Sequence, residues 1–92
     1  MIDNLRGKID KQDQRLLQVL AGRVKLVEKI GKIKSEKKIF AEDRKREKQI
    51  YNSVSSKSTE LGLDTKFVKN IFNLILAESK RLQKLQRKPS KW

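Results

Sequence analysis

The chain has neither cysteine nor histidine, and it has a single proline. The absence of cysteine excludes disulfides and thiolate nucleophiles, and the absence of both residues excludes zinc sites of the usual kind. Histidine is also the side chain most used for proton transfer near neutral pH. Any chemistry that the chain performs has to rely on other side chains.

Long apolar segments are missing as well. No run of about 18 apolar residues is present, which is the length that a membrane-spanning helix requires. The N-terminal residues lack the apolar centre of a signal peptide. We therefore expect a cytoplasmic protein with no membrane partner.

The length predicts one domain with a small core. A chain of 92 residues buries roughly 60–65% of the surface that its unfolded form exposes, so association with a second chain would add stability. We expect the domain to cover residues 1–86 and to be followed by a flexible basic tail, residues 87–92.

Positive charge is in large excess. The sequence has 24 Lys and Arg against 11 Asp and Glu, a net charge of +13, which favours non-specific attraction to polyanions. We interpret most of this charge as a solvated surface, on the evidence of twelve cations that mostly fall off the apolar stripes. They are Lys8, Lys11, Arg15, Lys25, Lys29, Lys32, Lys45, Lys48, Lys57, Lys69, Lys80 and Lys84.

The spacing of apolar residues predicts an all-α chain with three helices, one long and two shorter. The long helix covers residues 3–35, and the second covers residues 43–60. Gly62 then ends the second helix, and Asp64 caps a third over residues 65–86.

The first helix is too long for its own chain to cover. About 33 residues span roughly 50 Å, whereas a compact domain of this size has a diameter near 30 Å. Its glycines Gly7, Gly22 and Gly31 each weaken it by about 1 kcal/mol, so packing has to compensate for them or require their small size. We predict an intertwined two-fold homodimer with the long helices side by side.

Polar side chains interrupt the apolar stripes of all three helices. Arg23 and Lys34, for example, share the helix face of Val27. A buried charge without a partner costs roughly several kcal/mol, so such residues usually face one another or a charged ligand. Because cations outnumber acids here, we expect a small anion held between helices. The polar set is Arg6, Arg23, Lys34, Asp43, Arg46, Glu47, Ser79 and Gln83.

This set, in this order and at this spacing, closely resembles the all-helical chorismate mutases, particularly the small bacterial mutase domains. The resemblance covers about residues 2–86. It includes the segments Gly31-Lys32-Ile33-Lys34, Asp43-Arg44-Lys45-Arg46-Glu47 and Glu78-Ser79-Lys80-Arg81-Leu82-Gln83.

The resemblance implies roles for these residues. Arg6 of the other subunit and Arg23 would hold the two carboxylates of chorismate, because guanidinium suits carboxylate geometry. Lys34 would contact a carboxylate and the ether oxygen, and Gln83 would donate to that oxygen. Glu47 would accept from the ring hydroxyl. Ser79 would assist with a carboxylate, and the remaining polar wall would consist of Asp43 and Arg46.

The reaction implied is the rearrangement of chorismate to prephenate in phenylalanine and tyrosine biosynthesis. One carbon–oxygen bond breaks as a carbon–carbon bond forms, so no nucleophile, metal or cofactor is expected. The protein selects the compact diaxial conformer and stabilises charge growing on the ether oxygen.

Two other functions fit part of the pattern. An isochorismate pyruvate lyase-like enzyme would use a similar cationic pocket. A basic helical protein that binds nucleic acid would explain the net charge, but it would not explain cations on apolar faces, and aromatic platforms for base stacking are sparse.

Single residues also have structural interpretations. Arg23 and Lys34 could extend from the helix edge to solvent. Asp43 could be a helix cap, and Glu47 could be a surface partner of a residue on its own helix.

Overall fold

The computed structural model describes residues 1–39 and 43–86. The predicted basic tail, residues 87–92, lies outside the described residues. Within them, all regular secondary structure is helical, and the predicted three helices are confirmed to within two residues at each boundary. They are α1, Ile2–Glu36; α2, Arg44–Glu60; and α3, Thr65–Leu85.

Two aspartates begin the shorter helices. The Asp43 side chain accepts from the backbone N–H of Arg46 at 3.0 Å at the start of α2. The Asp64 carboxylate accepts from Lys66 N–H at 2.9 Å and from Phe67 N–H at 3.4 Å at the start of α3. Each carboxylate satisfies donors that have no partner inside the helix and also complements the positive end of the helix dipole.

Gly62 ends α2 in the left-handed conformation, with φ of 71°. The N–H of Leu63 donates to the carbonyl of Ser58 at 2.9 Å, the long-range bond of a Schellman motif. Inside α2, the Ser58 hydroxyl donates to the carbonyl of Val54 at 2.6 Å. A serine-rich stretch with low helix propensity is thus helical, and its hydroxyls are bonded within the helix itself.

The end of α1 has the same motif without a glycine. Lys38 takes the left-handed position with φ of 56°, and the N–H of Ile39 donates to the carbonyl of Lys34 at 2.8 Å. The turn therefore fixes the backbone of Lys34, one of the predicted site residues, at the last turn of the helix.

The helix α3 packs against both other helices, whereas α1 and α2 make no backbone contact with each other in the two described ranges. Val27 of α1 and Leu76 of α3 are the apolar side chains buried between them. The core of one chain is consequently very small, and α3 is its common wall.

The helices α1 and α3 approach each other closely at Gly31. A Cβ atom added there would lie 2.9 Å from the Cα of Gln83, closer than side-chain atoms tolerate. The other two glycines of α1, Gly7 and Gly22, have open space around them. Of the three glycines, Gly31 is thus the one whose small size is required by packing within one chain. For Gly7 and Gly22 the packing of a single chain gives no such requirement.

The molecule is elongated, with extents of 60 × 26 × 15 Å and a radius of gyration of 16.7 Å; a compact chain of this length would have about 12 Å. The overhang is the N-terminal half of α1, where every residue from 2 to 19 is exposed. Leu16 and Leu17 are 59% and 60% exposed. No described helix is both long enough and apolar enough to cross a bilayer.

Candidate active site

The three helices surround a cavity of about 310 Å³, a size typical of small-molecule sites. Seven of the eight polar residues singled out from the sequence line it, and they come from all three helices. These residues are Arg23, Lys34, Asp43, Arg46, Glu47, Ser79 and Gln83. The apolar part of the lining consists of Val27, Ile30, Ile50 and Leu76.

Arg23 and Lys34 reach the cavity from one face of α1. They are 11 residues apart, about three helical turns, so their side chains project in nearly the same direction. Val27 and Ile30 lie between them on that face and also line the cavity. The two cations therefore stand at opposite ends of an apolar floor, about 16 Å apart along the helix axis.

Ser79 holds the guanidinium of Arg23. Arg23 Nη1 donates a hydrogen bond to the oxygen of the Ser79 hydroxyl. The same hydroxyl donates its own hydrogen to the carbonyl of Ile75, at 2.8 Å. Burial, and secondarily the positive charge of Arg46, lowers the pKa of Arg23. An arginine does not lose its proton in a protein, so the shift indicates a cation that a bound anion would stabilise.

The first turn of α2 supplies the opposite wall. Asp43 caps the helix and also lines the cavity, so the structural and functional interpretations of this residue are compatible. Glu47 accepts from Lys80 on α3, with 3.0 Å between Lys80 Nζ and Glu47 Oε2. This partner lies on another helix, so the alternative interpretation of Glu47 as the partner of a residue within α2 is not what the structure shows.

Gln83 lies one turn after Ser79 on the same face of α3. Its side-chain oxygen Oε1 is buried and has no hydrogen-bond partner among residues 1–39 and 43–86. The amide is held close to α1 because the Gln83 backbone packs on Gly31. Gln83 lines the cavity because its backbone packs on α1. No hydrogen bond accepted by Oε1 from a described residue holds it there.

Arg6 is the one predicted residue that the single chain does not bring to the cavity. Its side chain is 72% exposed and lies 3.7 Å from Asp3. It precedes Arg23 by 17 residues on a continuous helix, about 25 Å along the axis. Arg6 therefore cannot reach the cavity of its own chain.

Lys80 lines the cavity although its charge was assigned to the solvated surface. That interpretation is wrong because Lys80 lies between Ser79 and Gln83, three residues before the latter, and its stem extends across to Glu47. The sequence does show that Lys80 lies three residues before Gln83, and residues three apart are neighbours on a helix surface. It does not show that Lys80 reaches Glu47, because Glu47 lies on α2.

The charge of the cavity is positive. Four cations and two carboxylates line it, a net charge that matches a ligand with two negative charges. No group of three acidic side chains suited to a metal ion occurs in the described part of the chain. The arrangement can hold a dianion against an apolar floor and can donate hydrogen bonds from several directions.

Comparison with known proteins agrees with this geometry. The sequence model of the family described as chorismate mutase type II matches residues 5–84. A chorismate mutase from Methanocaldococcus jannaschii is 32% identical over 80 residues, which make up 87% of this chain and 81% of that protein. The chain belongs to the chorismate mutase type II family.

Proposed function

We propose that this chain catalyses the rearrangement of chorismate to prephenate. The observation that carries the proposal is the cavity in which eight polar residues from three helices surround an apolar floor. Chorismate is a dianion with an apolar ring, so its charge and its shape fit such a lining. Family membership supports the same reaction.

Arg23 would hold one substrate carboxylate. Its guanidinium is already oriented by Ser79, so little side-chain freedom remains to be lost when the anion binds. The neighbouring charge of Arg46 strengthens the attraction. Two fixed carboxylates keep the reacting carbons close together, which removes much of the entropic part of the barrier.

Lys34 and Gln83 would act on the ether oxygen. They come from α1 and α3 and line the same cavity. Negative charge grows on that oxygen as the carbon–oxygen bond breaks, so donors already aimed at it stabilise the transition state more than the substrate. Glu47 would accept from the ring hydroxyl and fix the orientation of the ring.

A second copy of the chain would complete the site and cover α1. Every side chain from residue 2 to residue 19 is exposed, including Leu5, Ile9 and Leu16. An apolar stripe of this length is unusual on a monomer. A two-fold dimer buries the stripe of one α1 against the α1 of its partner.

The position of Arg6 specifies the geometry of that dimer. In a two-fold dimer with antiparallel α1 helices, Arg6 of the partner subunit can lie beside the cavity-lining part of α1. Because the two-fold axis relates the helices, their crossing point is then midway between residue 6 and that part of α1. That midpoint lies near Leu16 and Leu17, both of which are exposed. Arg6 would then supply the second guanidinium for the substrate carboxylates.

The test is the conversion of chorismate by the purified chain, followed by its ultraviolet absorbance, with identification of the product. We expect saturable formation of prephenate, and we expect Arg23→Ala to lower kcat/KM by about 100-fold, since a charged contact to a substrate carboxylate is lost. Circular dichroism would establish that the variant keeps its helices.

Two outcomes would contradict the proposal. Release of pyruvate from isochorismate, without prephenate formation from chorismate, would indicate a lyase. Salt-sensitive binding of nucleic acid by a folded chain that leaves chorismate unchanged would indicate a binding protein. A cytoplasmic location is part of the same proposal, and cell fractionation tests it.

A further inference from the structure

The pair of Lys80 and Glu47 joins two helices across the cavity wall. Lys80 Nζ lies 3.0 Å from Glu47 Oε2, and the two side chains are 32% and 23% exposed. Three other ion pairs link residues three apart on one helix, where they are largely exposed. The Lys80–Glu47 pair is therefore better shielded from solvent, which strengthens a charge–charge contact.

The contact uses one oxygen of the Glu47 carboxylate. An ionised carboxylate has two oxygens, each able to accept more than one hydrogen bond. With Oε2 bonded to Lys80, the rotation of the carboxylate about its terminal bond is restricted. Oε1 is then available to a donor on the ligand.

We propose that Lys80 is a positioning residue, which fixes the Glu47 carboxylate so that Oε1 accepts from the ring hydroxyl of the substrate. The inference rests on the proposed role of Glu47. Lys80 acts through Glu47 and contacts neither the ether oxygen nor the substrate carboxylates. A glutamate on the exposed first turn of a helix would otherwise sample several rotamers.

The kinetic test compares Lys80→Met with Lys80→Arg. Methionine keeps the length and the apolar stem but removes the donor, whereas arginine keeps a cationic donor that is able to reach Glu47. We expect Lys80→Met to lower kcat/KM for chorismate by about tenfold, less than the roughly 100-fold cost of a misplacement of about 1 Å in a reacting group. Lys80→Arg should stay within about threefold of the parent.

Lys84→Met is the matched control for the loss of one positive charge. Lys84 lies one turn further along α3, is exposed, and does not line the cavity. We expect its kcat/KM to be unchanged. An equal loss in Lys84→Met and Lys80→Met would mean that only the overall charge matters, and this would overturn the inference.

A substrate analogue separates positioning from general damage. In an analogue of chorismate with hydrogen in place of the ring hydroxyl, Glu47 has nothing to accept. We expect the parent chain and Lys80→Met to convert this analogue equally well. A tenfold difference that persists with the analogue would show that Lys80 acts elsewhere.

Failure of the proposed function would appear as a parent chain that does not convert chorismate. Glu47→Ala distinguishes failure of the inference about Lys80 from failure of the proposed role of Glu47. If folded Glu47→Ala converts chorismate as fast as the parent, the proposed role of Glu47 is wrong, and the role of Lys80 is wrong with it. If Glu47→Ala is slow but Lys80→Met is not, only the inference about Lys80 is wrong.

In the Glu47→Ala background, adding Lys80→Met should cost no further activity. A full additional tenfold loss would mean a direct contact of Lys80 with substrate and would also overturn the inference. If Lys80→Met loses its helical circular dichroism, Lys80→Leu, which also has no donor and has a high helix propensity, takes its place in every comparison.

Discussion

At the scale of single residues, some side chains of the candidate site have polar partners within the protein. Arg23 donates a hydrogen bond to Ser79, and Glu47 forms an ion pair with Lys80. The Gln83 oxygen has no hydrogen-bond partner among the residues described. Gln83 is therefore the position where a change of one functional group tests the chemistry with the least effect on its neighbours.

We expect the pH dependence of Gln83→Glu to differ from that of the parent chain. A glutamine amide donates at every pH, whereas a glutamate donates to the ether oxygen only when its carboxyl is protonated. The kcat/KM of Gln83→Glu should therefore rise as pH falls from 8 towards 5, by up to about tenfold per pH unit above the carboxyl pKa.

Gln83→Leu provides the control, because leucine fills a similar volume and donates nothing. Its activity should be low and should not recover at acid pH, while the parent should vary little between pH 5 and pH 8. A flat profile for Gln83→Glu would contradict the assignment of Gln83 as a donor to the ether oxygen.

The sequence predicted residues whose signals are local. Asp43 precedes a helical stretch, and Arg23 interrupts an apolar stripe, so both were visible without tertiary structure. Lys80 was missed because its partner lies on a different helix. The left-handed backbone conformation of Lys38 was not predicted either. Few residues other than glycine adopt it, and nothing in the sequence indicates which lysine does so.

At the scale of elements, the spacing of α1 and α3 sets the separation of Lys34 and Gln83. The two helices approach each other closely at Gly31, one turn before Lys34. Helix caps and the spacing of apolar residues predicted where the helices begin and end. It did not give this spacing, because Gly7, Gly22 and Gly31 look alike when only propensity is considered.

We expect Gly31→Ala to lower kcat by about 10- to 100-fold, because the new Cβ has to displace the backbone of Gln83 and a shift of roughly 1 Å costs that much. The free energy of unfolding should also fall, by about 1–3 kcal/mol, as in other overpacked sites. Steady-state kinetics and thermal unfolding at one fixed protein concentration measure the two effects.

Gly7→Ala is the matched control on the same helix. Gly7 has open space around it, and it lies about five full turns before Lys25, on the lysine-rich face away from the apolar stripe. The same substitution there should leave activity unchanged and stabilise α1 by up to about 1 kcal/mol. If Gly31→Ala were as active as Gly7→Ala, close helix packing would not position Gln83.

At the scale of the whole molecule, the proposed second subunit would cover the exposed half of α1 and would bring an Arg6 to the cavity, which the Arg6 of the same chain cannot reach. The sequence predicted this from helix length alone. It did not predict where two α1 helices would cross, since that requires the cavity to be located first. The crossing near Leu16 and Leu17 follows only once the cavity has been placed beside Arg23 and Lys34.

We expect two inactive variants to restore activity when mixed. In a heterodimer of Arg6→Ala and Arg23→Ala subunits, one site receives both changes and the other receives neither. Random pairing makes half of the dimers mixed, so unfolding the two variants together and refolding them should recover about a quarter of the parent activity.

The measurement is the rate of chorismate loss after joint refolding, compared with the same variants refolded separately and then combined. Only joint refolding should restore the rate if subunits exchange slowly. If Arg6 acted within its own chain, neither site of a mixed dimer would be intact, and joint refolding would recover nothing.

Because α3 is the common wall of the fold, the order of synthesis matters for this protein. The first two helices leave the ribosome with no backbone contact between their described residues. The third helix to emerge brings Ser79, Lys80 and Gln83 to both of them in one step. A nascent chain stalled before residue 65 would therefore carry two solvated helices and no cavity, and folding of this domain is expected only once α3 has left the ribosome.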